Sequence, residues 1–276
     1  MKKISYQGER GAFSEIAAEK YFGEQIEFYP AYSFNDVFKR VKKKSVDFGI
    51  VPIENSLYGS VFETYDLLLK YKLNIQGELN LKINHALISD KRYKIPEIKH
   101  LYSHPQALGQ CSDFLARYSK INIHPAYDTA GAVLLTEKEE EPSAAIASEK
   151  AANIYGKKII KRKIQNNDEN YTRFLIVGRN RNSGETENPK TSICFELKSI
   201  PGALFRALSV FALRDIDLLK IESRPIPHKP FTYLFYVDLT GSINDTVIKN
   251  ALNNLSEITL RIIKFGSYSA GKTFSS

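Results

Sequence analysis

Residues 178–190 read Gly-Arg-Asn-Arg-Asn-Ser-Gly-Glu-Thr-Glu-Asn-Pro-Lys, a run with no side chain suited to a core. A stretch of this composition joins no packed interior. The chain must therefore build its hydrophobic interior twice, once on each side. This divides the sequence into 1–178, a linker at 179–190, and 191–276. The first segment alternates short apolar runs with amphipathic ones. Strands are expected over 3–6, 26–29, 46–52, 144–147 and 174–177, with a short extended piece at 101–103. Helices are expected over 12–21, from Ser33 as N-cap to about 43, and over 61–71, 106–118, 129–136 and 149–155. That rhythm predicts an α/β fold with a mostly parallel sheet. Extended crossovers near 73–82 and 161–173 divide it into two lobes with a cleft between them.

The second segment carries its own pattern: strand 191–197, helix 203–214, strands 218–223 and 231–239, helix 245–255, strand 259–265. The order is βαββαβ, a ferredoxin-like plan. It leaves a sheet edge and an apolar helix face that a second copy of the chain would cover. Residues 270–276 look frayed, and no internal repeat stands out.

Several function classes are disfavoured. No run approaches the roughly 18 uninterrupted apolar residues of a spanning helix, and Met1 to Gly8 has no secretory apolar region, so the expected location is cytoplasmic. Cys111 and Cys194 fall in different segments and lack the Cys-x-x-Cys spacing of a redox or metal site. His100 and His104 are four apart, but Pro105 breaks any helix that would align them on a metal. The net charge of +8 is scattered and interrupted by the acidic run 137–141, so it does not form a nucleic-acid stripe. It is compatible with steering a small anionic substrate.

Four segments look unlike scaffold. Gln7 to Ser14 places Gly8 and Gly11 between a strand and a helix, where backbone N–H groups can approach an anion, but it lacks dinucleotide and ATP signatures. Val51-Pro52-Ile53-Glu54-Asn55-Ser56 ends a strand in polar groups, where open α/β sheets bind ligands. Ser103-His104-Pro105-Gln106-Ala107-Leu108 lies at another strand-to-helix junction. Asn170-Tyr171-Thr172-Arg173-Phe174 precedes an apolar strand and sets a neutral hydroxyl beside a guanidinium. Taken singly, each is also compatible with a turn, a helix cap or a solvated surface.

In this order the segments resemble the prephenate dehydratase family with a C-terminal ACT regulatory domain, and the resemblance covers almost the whole chain. Asp128 to Val133 is similar to the family's second-lobe segment. Pro201-Gly202-Ala203-Leu204-Phe205 and Glu222-Ser223-Arg224-Pro225 are similar to its phenylalanine-binding motifs. One departure is Asn166, where the family often has Asp. The resemblance implies a two-lobed, periplasmic-binding-protein-like catalytic domain plus a βαββαβ ACT domain. It implies conversion of prephenate to phenylpyruvate, water and carbon dioxide, feedback inhibition by L-phenylalanine, and a homo-oligomer, dimer or tetramer. No cofactor, metal, membrane or nucleic acid is implied.

By the same resemblance Thr172 is the proton donor to the departing hydroxide, or a hydrogen-bond donor to it alone, and Arg173 is a bidentate partner of the side-chain carboxylate. Asn55, Ser103 and Gln106 orient the substrate, and Glu54 orients Arg or Asn. Gly11, Ala12, Ser14, Ser56, Thr129, Asn170 and Phe174 complete the binding site. Gly202, Ala203, Leu204, Phe205, Glu222, Ser223, Arg224 and Pro225 form the phenylalanine site, with Gly202 permitting close backbone approach. Arogenate dehydratase, acting on the amino-acid analogue, shares these motifs and remains the alternative. A non-catalytic small-molecule receptor would not require the placed hydroxyl of Thr172, and a nucleic-acid regulator is disfavoured because no helix combines recognition spacing with a basic face.

Overall fold

The computed structural model describes every residue except 91–92, 181–186, 227–228 and 230. The central part of the expected linker thus lies outside the described residues. The first lobe begins with β1 (Lys2–Gln7), α1 (Phe13–Phe22), β2 (Ile26–Ala31), α2 (Phe34–Lys42), β3 (Phe48–Asn55), β4 (Gly59–Ser60), α3 (Phe62–Tyr71) and β5 (Asn74–Lys82). The second lobe contains β6 (Ala86–Ser89), β7 (His100–Ser103), α4 (Pro105–Gln110), α5 (Ser112–Leu115) and β8 (Asn122–Pro125). It continues through α6 (Thr129–Leu135), β9 (Ser143–Ala147), α7 (Glu149–Ile154) and β10 (Lys158–Lys161). The chain then returns to the first lobe as β11 (Tyr171–Gly178). Beyond it come β12 (Pro189–Leu197), α8 (Ala203–Ala212), β13 (Leu218–Pro225), β14 (Tyr233–Thr240), α9 (Thr246–Ile258), β15 (Thr259–Ser269) and β16 (Lys272–Ser275).

The first sheet has the order β16-β5-β11-β3-β1-β2, with β4 paired to β3. β1 runs parallel to both β2 and β3, as strand–helix–strand connections require. The second sheet, β10-β6-β9-β7-β8, is mixed, and the third, β13-β14-β12-β15, is antiparallel throughout. The third sheet with α8 and α9 is the βαββαβ unit read from the sequence.

The chain forms two compact units. The larger comprises Met1–Tyr71, Leu79–Ile176 and Lys272–Ser276; the smaller comprises Lys72–Glu78 and Val177–Gly271. Residues 272–275 are therefore not a frayed end. They form β16, paired parallel to β5, with Phe274 packed against the larger unit's core. Ladder hydrogen bonds come from main chain, so a short polar strand of this kind leaves little trace in apolar periodicity.

A single helix over 106–118 does not form either. It breaks at Cys111 into α4 and α5, because Asn166 arrives from the return crossover. Its N–H donates to the Gln110 carbonyl at 2.7 Å. Its side chain accepts from Asp113 N at 3.0 Å and donates to Ser112 Oγ at 2.8 Å. The position thus uses both a donor and an acceptor, which an amide supplies and a carboxylate does not.

The lobes share one core, in which Ile4, Tyr6 and Ile50 of the first sheet join Ile88, Ala145 and Ala147 of the second. The glycine loop between β1 and α1 forms the seam. Gly11 has φ +88°, and a Cβ there would lie 2.6 Å from the Ala151 Cα of α7. Ser148 Oγ donates to the Gly11 carbonyl at 2.6 Å. The fully buried Glu15 accepts from Tyr6 Oη and Gly11 N, each at 2.8 Å, and pairs with Lys150 of α7 at 2.9 Å. A buried carboxylate is tolerable only with such compensation.

Candidate active site

Between the two lobes of the larger unit lies a cavity of about 460 Å³. Its wall is built from the beginnings of four helices: Ala12 to Ser14 of α1, Ser33 and Phe34 of α2, His104 and Gln106 of α4, Asp128 and Thr129 of α6. Three of these starts are capped. Ser33 Oγ accepts from Asp36 N, His104 Nδ1 from Gln106 N, and Asp128 Oδ1 from Gly131 N. The start of α1 has no side-chain cap, so its first N–H groups are available to an anion. No lysine or arginine lines the cavity among the described residues.

The floor is made by two neighbouring strands. Asn55 ends β3, and its Oδ1 accepts from the backbone N–H groups of Leu57 and Tyr58 at 3.0 and 3.1 Å. A backbone N–H only donates, so these contacts fix which way the amide faces. Asn55 Nδ2 then points across to β11 and donates to Asn170 Oδ1 at 2.8 Å, the Tyr171 carbonyl at 3.1 Å and Thr172 Oγ1 at 3.0 Å. With an N–H aimed at its oxygen, the Thr172 hydroxyl acts there as acceptor, and its own proton is free for another partner.

Of the residues singled out from sequence, Ala12, Ser14, Asn55, Gln106, Thr129, Thr172 and Phe174 line the cavity. The others stand behind it. Strand alternation turns Arg173 away from the direction of Thr172 and Phe174, and its Nη1 lies 3.8 Å from Glu54 Oε2. The pair therefore sits beside Thr172 and Asn55, the wall-forming neighbours of each, and not on the cavity wall. Ser103 is buried and donates to the Ile146 carbonyl at 2.7 Å, tying β7 to β9. Ser56 Oγ donates to the Glu169 carbonyl and accepts from Tyr171 N, both at 2.9 Å. Asn170 is buried against Asn55, and Gly11 belongs to the seam.

The structure adds groups to which the sequence motifs assigned no site role. Gln110 follows Gln106 by four positions on a helix, so the two share a face; that spacing could have found it. Asp128 accepts from Glu9 N at 2.7 Å across the seam, and burial raises its pKa. Tyr32 of the first lobe stacks on Tyr127 of the second at 5.2 Å between centroids, and both reach the cavity. His85 follows Asn84 in the stretch Lys82-Ile83-Asn84-His85-Ala86-Leu87, a pattern with no spacing to mark it. Burial holds its imidazole neutral, with the pKa pushed down to about 4.

In the smaller unit Gly202 precedes α8 with φ +77°, and a Cβ there would meet nothing within 4 Å. Backbone conformation, not crowding within the described protein, is what requires glycine. Ala203, Leu204 and Phe205 open α8, with Phe205 exposed. Glu222, Ser223, Arg224 and Pro225 are the last residues of β13 rather than a loop after it, and Glu222 lies 3.7 Å from Lys220. Among the described residues no group of His, Cys, Asp and Glu is arranged to hold a metal, and no helix is long and apolar enough to cross a membrane.

A two-lobed α/β unit with a cavity lined by helix starts and amide and hydroxyl groups, followed in the chain by a βαββαβ unit, is the layout of a small-molecule site joined to a second module. The chain belongs to the prephenate dehydratase family, whose model matches residues 4–182, and an ACT domain matches residues 191–257. It is 43% identical over 282 residues to arogenate dehydratase/prephenate dehydratase 2 of Arabidopsis thaliana, covering 98% of this chain and 74% of that protein. It is 38% identical over 267 residues to the bifunctional chorismate mutase/prephenate dehydratase of Aquifex aeolicus, covering 96% and 73%. The solved prephenate dehydratase of Arthrobacter aurescens in complex with L-Phe matches with a TM-score of 0.89 at 28% identity, covering 97% and 90%.

Proposed function

We propose that the cavity converts prephenate to phenylpyruvate, water and carbon dioxide, with the Thr172 hydroxyl as the proton donor. The observation that carries this reading is the fixed Asn55 amide, which donates to Thr172 Oγ1 and leaves the hydroxyl proton for the substrate. The electron pair of the breaking C–CO2 bond enters the ring as the C–O bond at the opposite carbon breaks. The leaving oxygen takes a proton and departs as water, and the ring becomes aromatic. A threonine hydroxyl is a weak acid, so proton transfer accompanies bond breaking. Such donation is typically worth about 10²–10⁴-fold. No step is a redox step, and the reaction requires no cofactor.

The uncapped start of α1 and the amides of Gln106 and Gln110 are suited to hold the side-chain carboxylate. The ring carboxylate is better held loosely, because tight pairing would stabilise the ground state. Arg173 and Glu54 fit a positioning role, setting β11 against β3. Incubation of the purified protein with prephenate tests the reading: phenylpyruvate and carbon dioxide appear in equal amounts, and absence of turnover overturns it. A second reading, dehydration of arogenate, is favoured by one feature. Among the described residues the cavity wall carries the carboxylates Glu63 and Asp128 and no lysine or arginine, which suits a substrate bearing an ammonium. The ratio of kcat/KM on the two substrates separates the readings.

L-Phenylalanine binding at the start of α8 and the end of β13 is the proposed regulation, supported by the ACT match and by the open, positive-φ Gly202. A homo-oligomer, at least a dimer, is supported by Phe205, Leu213, Leu219 and Ile221, which are 76%, 81%, 48% and 46% exposed in the single chain. Light scattering at micromolar concentration should give at least twice the 31.3 kDa chain mass; a monomer overturns this. Cys111 and Cys194 are free and buried, with thiol pKa values pushed up to about 12, which fits a reducing cytoplasm.

A further inference from the structure

We infer that His85 is a positioning residue that fixes the Gln110 amide so that its NH2 faces the substrate. The inference rests on reading the cavity as the dehydratase site. His85 lies just before β6, where the chain crosses from the first lobe to the second, and is 2% exposed while lining the cavity. Its Nε2 is 2.7 Å from Gln110 Oε1. With Oε1 facing the ring, the imidazole carries its proton on Nε2 and leaves Nδ1 bare; the reverse tautomer would bury an N–H at Nδ1 with no acceptor, the costlier arrangement. Nδ1 is buried without a hydrogen-bond partner. A bare buried acceptor ordinarily destabilises a fold, so its presence on the cavity wall calls for a reason.

The reason lies in what the cavity lacks. With no lysine or arginine in its wall, recognition of an anion falls to neutral donors. A glutamine amide has a donor end and an acceptor end of nearly equal size. If Gln110 turned over, its oxygen would face the substrate's oxygens and repel them. The His85 N–H prevents this by occupying Oε1. The residue is itself held at its backbone and its ring. Its backbone N–H donates to Gln165 Oε1 at 3.0 Å, its carbonyl accepts from Ile164 N at 3.1 Å, and the Phe13 ring packs perpendicular to it at 5.3 Å. Residues 164 and 165 belong to the return crossover, so the two inter-lobe crossovers meet at this histidine. Burial keeps the ring neutral near pH 7 and the donor in place.

The test is a double-mutant cycle of His85→Leu and Gln110→Ala, measured as kcat/KM on prephenate beside each variant's melting temperature. His85→Leu alone should lower kcat/KM by about tenfold or more, mainly through KM. His85→Gln, whose amide N–H reaches the place of Nε2–H, should recover most of that loss. In the Gln110→Ala background, adding His85→Leu should change kcat/KM by less than about twofold. Full additivity in the cycle, or His85→Leu kinetics equal to the parent's, overturns the inference. Equal loss in the Leu and Gln variants overturns it too, since that marks a packing role. A parent that turns over neither prephenate nor arogenate instead overturns the functional reading itself.

Discussion

At the scale of single residues, the donor role proposed for Thr172 rests on the direction of one hydrogen bond. Asn55 cannot turn its oxygen to Thr172, because two backbone N–H groups claim that oxygen. Asn55→Asp replaces the donor with a carboxylate that would itself accept the Thr172 O–H as a hydrogen bond and turn it from the substrate. Steady-state kinetics on prephenate should show kcat down by roughly 100-fold or more with KM within about threefold. Thr172→Ala should lose at least as much, and Thr172→Ser less; a kcat within threefold of the parent for Asn55→Asp removes the donor assignment. His85 makes a separate prediction about stability. Its pKa falls from 6.5 to about 4 on folding, so between those values the unfolded chain binds a proton that the folded chain refuses. Its contribution is complete above about pH 6.5 and is lost as pH falls toward 4, on the order of 3 kcal/mol in all. Denaturant titrations at pH 7 and pH 4.5 should show a smaller drop for His85→Gln than for the parent, and equal drops would contradict this. Thr172 and Asn55 were legible as sequence motifs because their neighbours are fixed in order. His85 was not, because its partners come from α4 and from the return crossover, far away in the chain.

At the scale of elements, the α/β rhythm and the βαββαβ pattern were legible from apolar spacing, since burial on one face imposes the period. Ser33 was legible as the cap of α2 for the same local reason. What escaped was set from a distance: Asn166 splitting α4 from α5, and β16 finding β5 through main-chain bonds. The glycine loop falls between these cases. Gly8 and Gly11 were visible as an anion-binding candidate, whereas in the structure Gly11 serves the close approach of α7. Two glycines separate the causes. Gly23→Ala, with nothing within 4 Å, carries only the backbone strain of φ +76° and ψ −157°, and should cost about 1–3 kcal/mol. Gly11→Ala adds a collision with the Ala151 backbone and should cost about 2–4 kcal/mol. Urea denaturation reads both, and equal costs would show that α7 yields freely.

At the scale of the whole molecule, regulation requires that phenylalanine favour one arrangement of the protein over another. The backbone passes between the two units at Tyr71–Lys72, Glu78–Leu79, Ile176–Val177 and Gly271–Lys272. One of these passages lies within β11, the strand that carries Thr172. In the smaller unit the buried Lys190 joins Glu78 at 3.0 Å and Asp238 at 3.5 Å, fastening the segment before Leu79 to β12 and β14. Gly202→Ala has space for its methyl group but not the backbone freedom, so phenylalanine should inhibit this variant at least about fivefold more weakly while uninhibited turnover stays the same. Inhibition assays with phenylalanine titration decide it; an unchanged midpoint removes Gly202 from the site.

The pairing of β16 with β5 also bears on how such a protein is made. A ribosome reaches Lys272 only after the whole sensing unit has been synthesised, so the first sheet keeps an open edge at β5 until then. A message cut short anywhere before that codon yields no free-running, unregulated enzyme with its sheet complete. It yields a chain with an exposed strand, a natural client for chaperones and proteases. Quality control of the nascent chain and feedback control of the finished one thus depend on the same stretch of sequence being present.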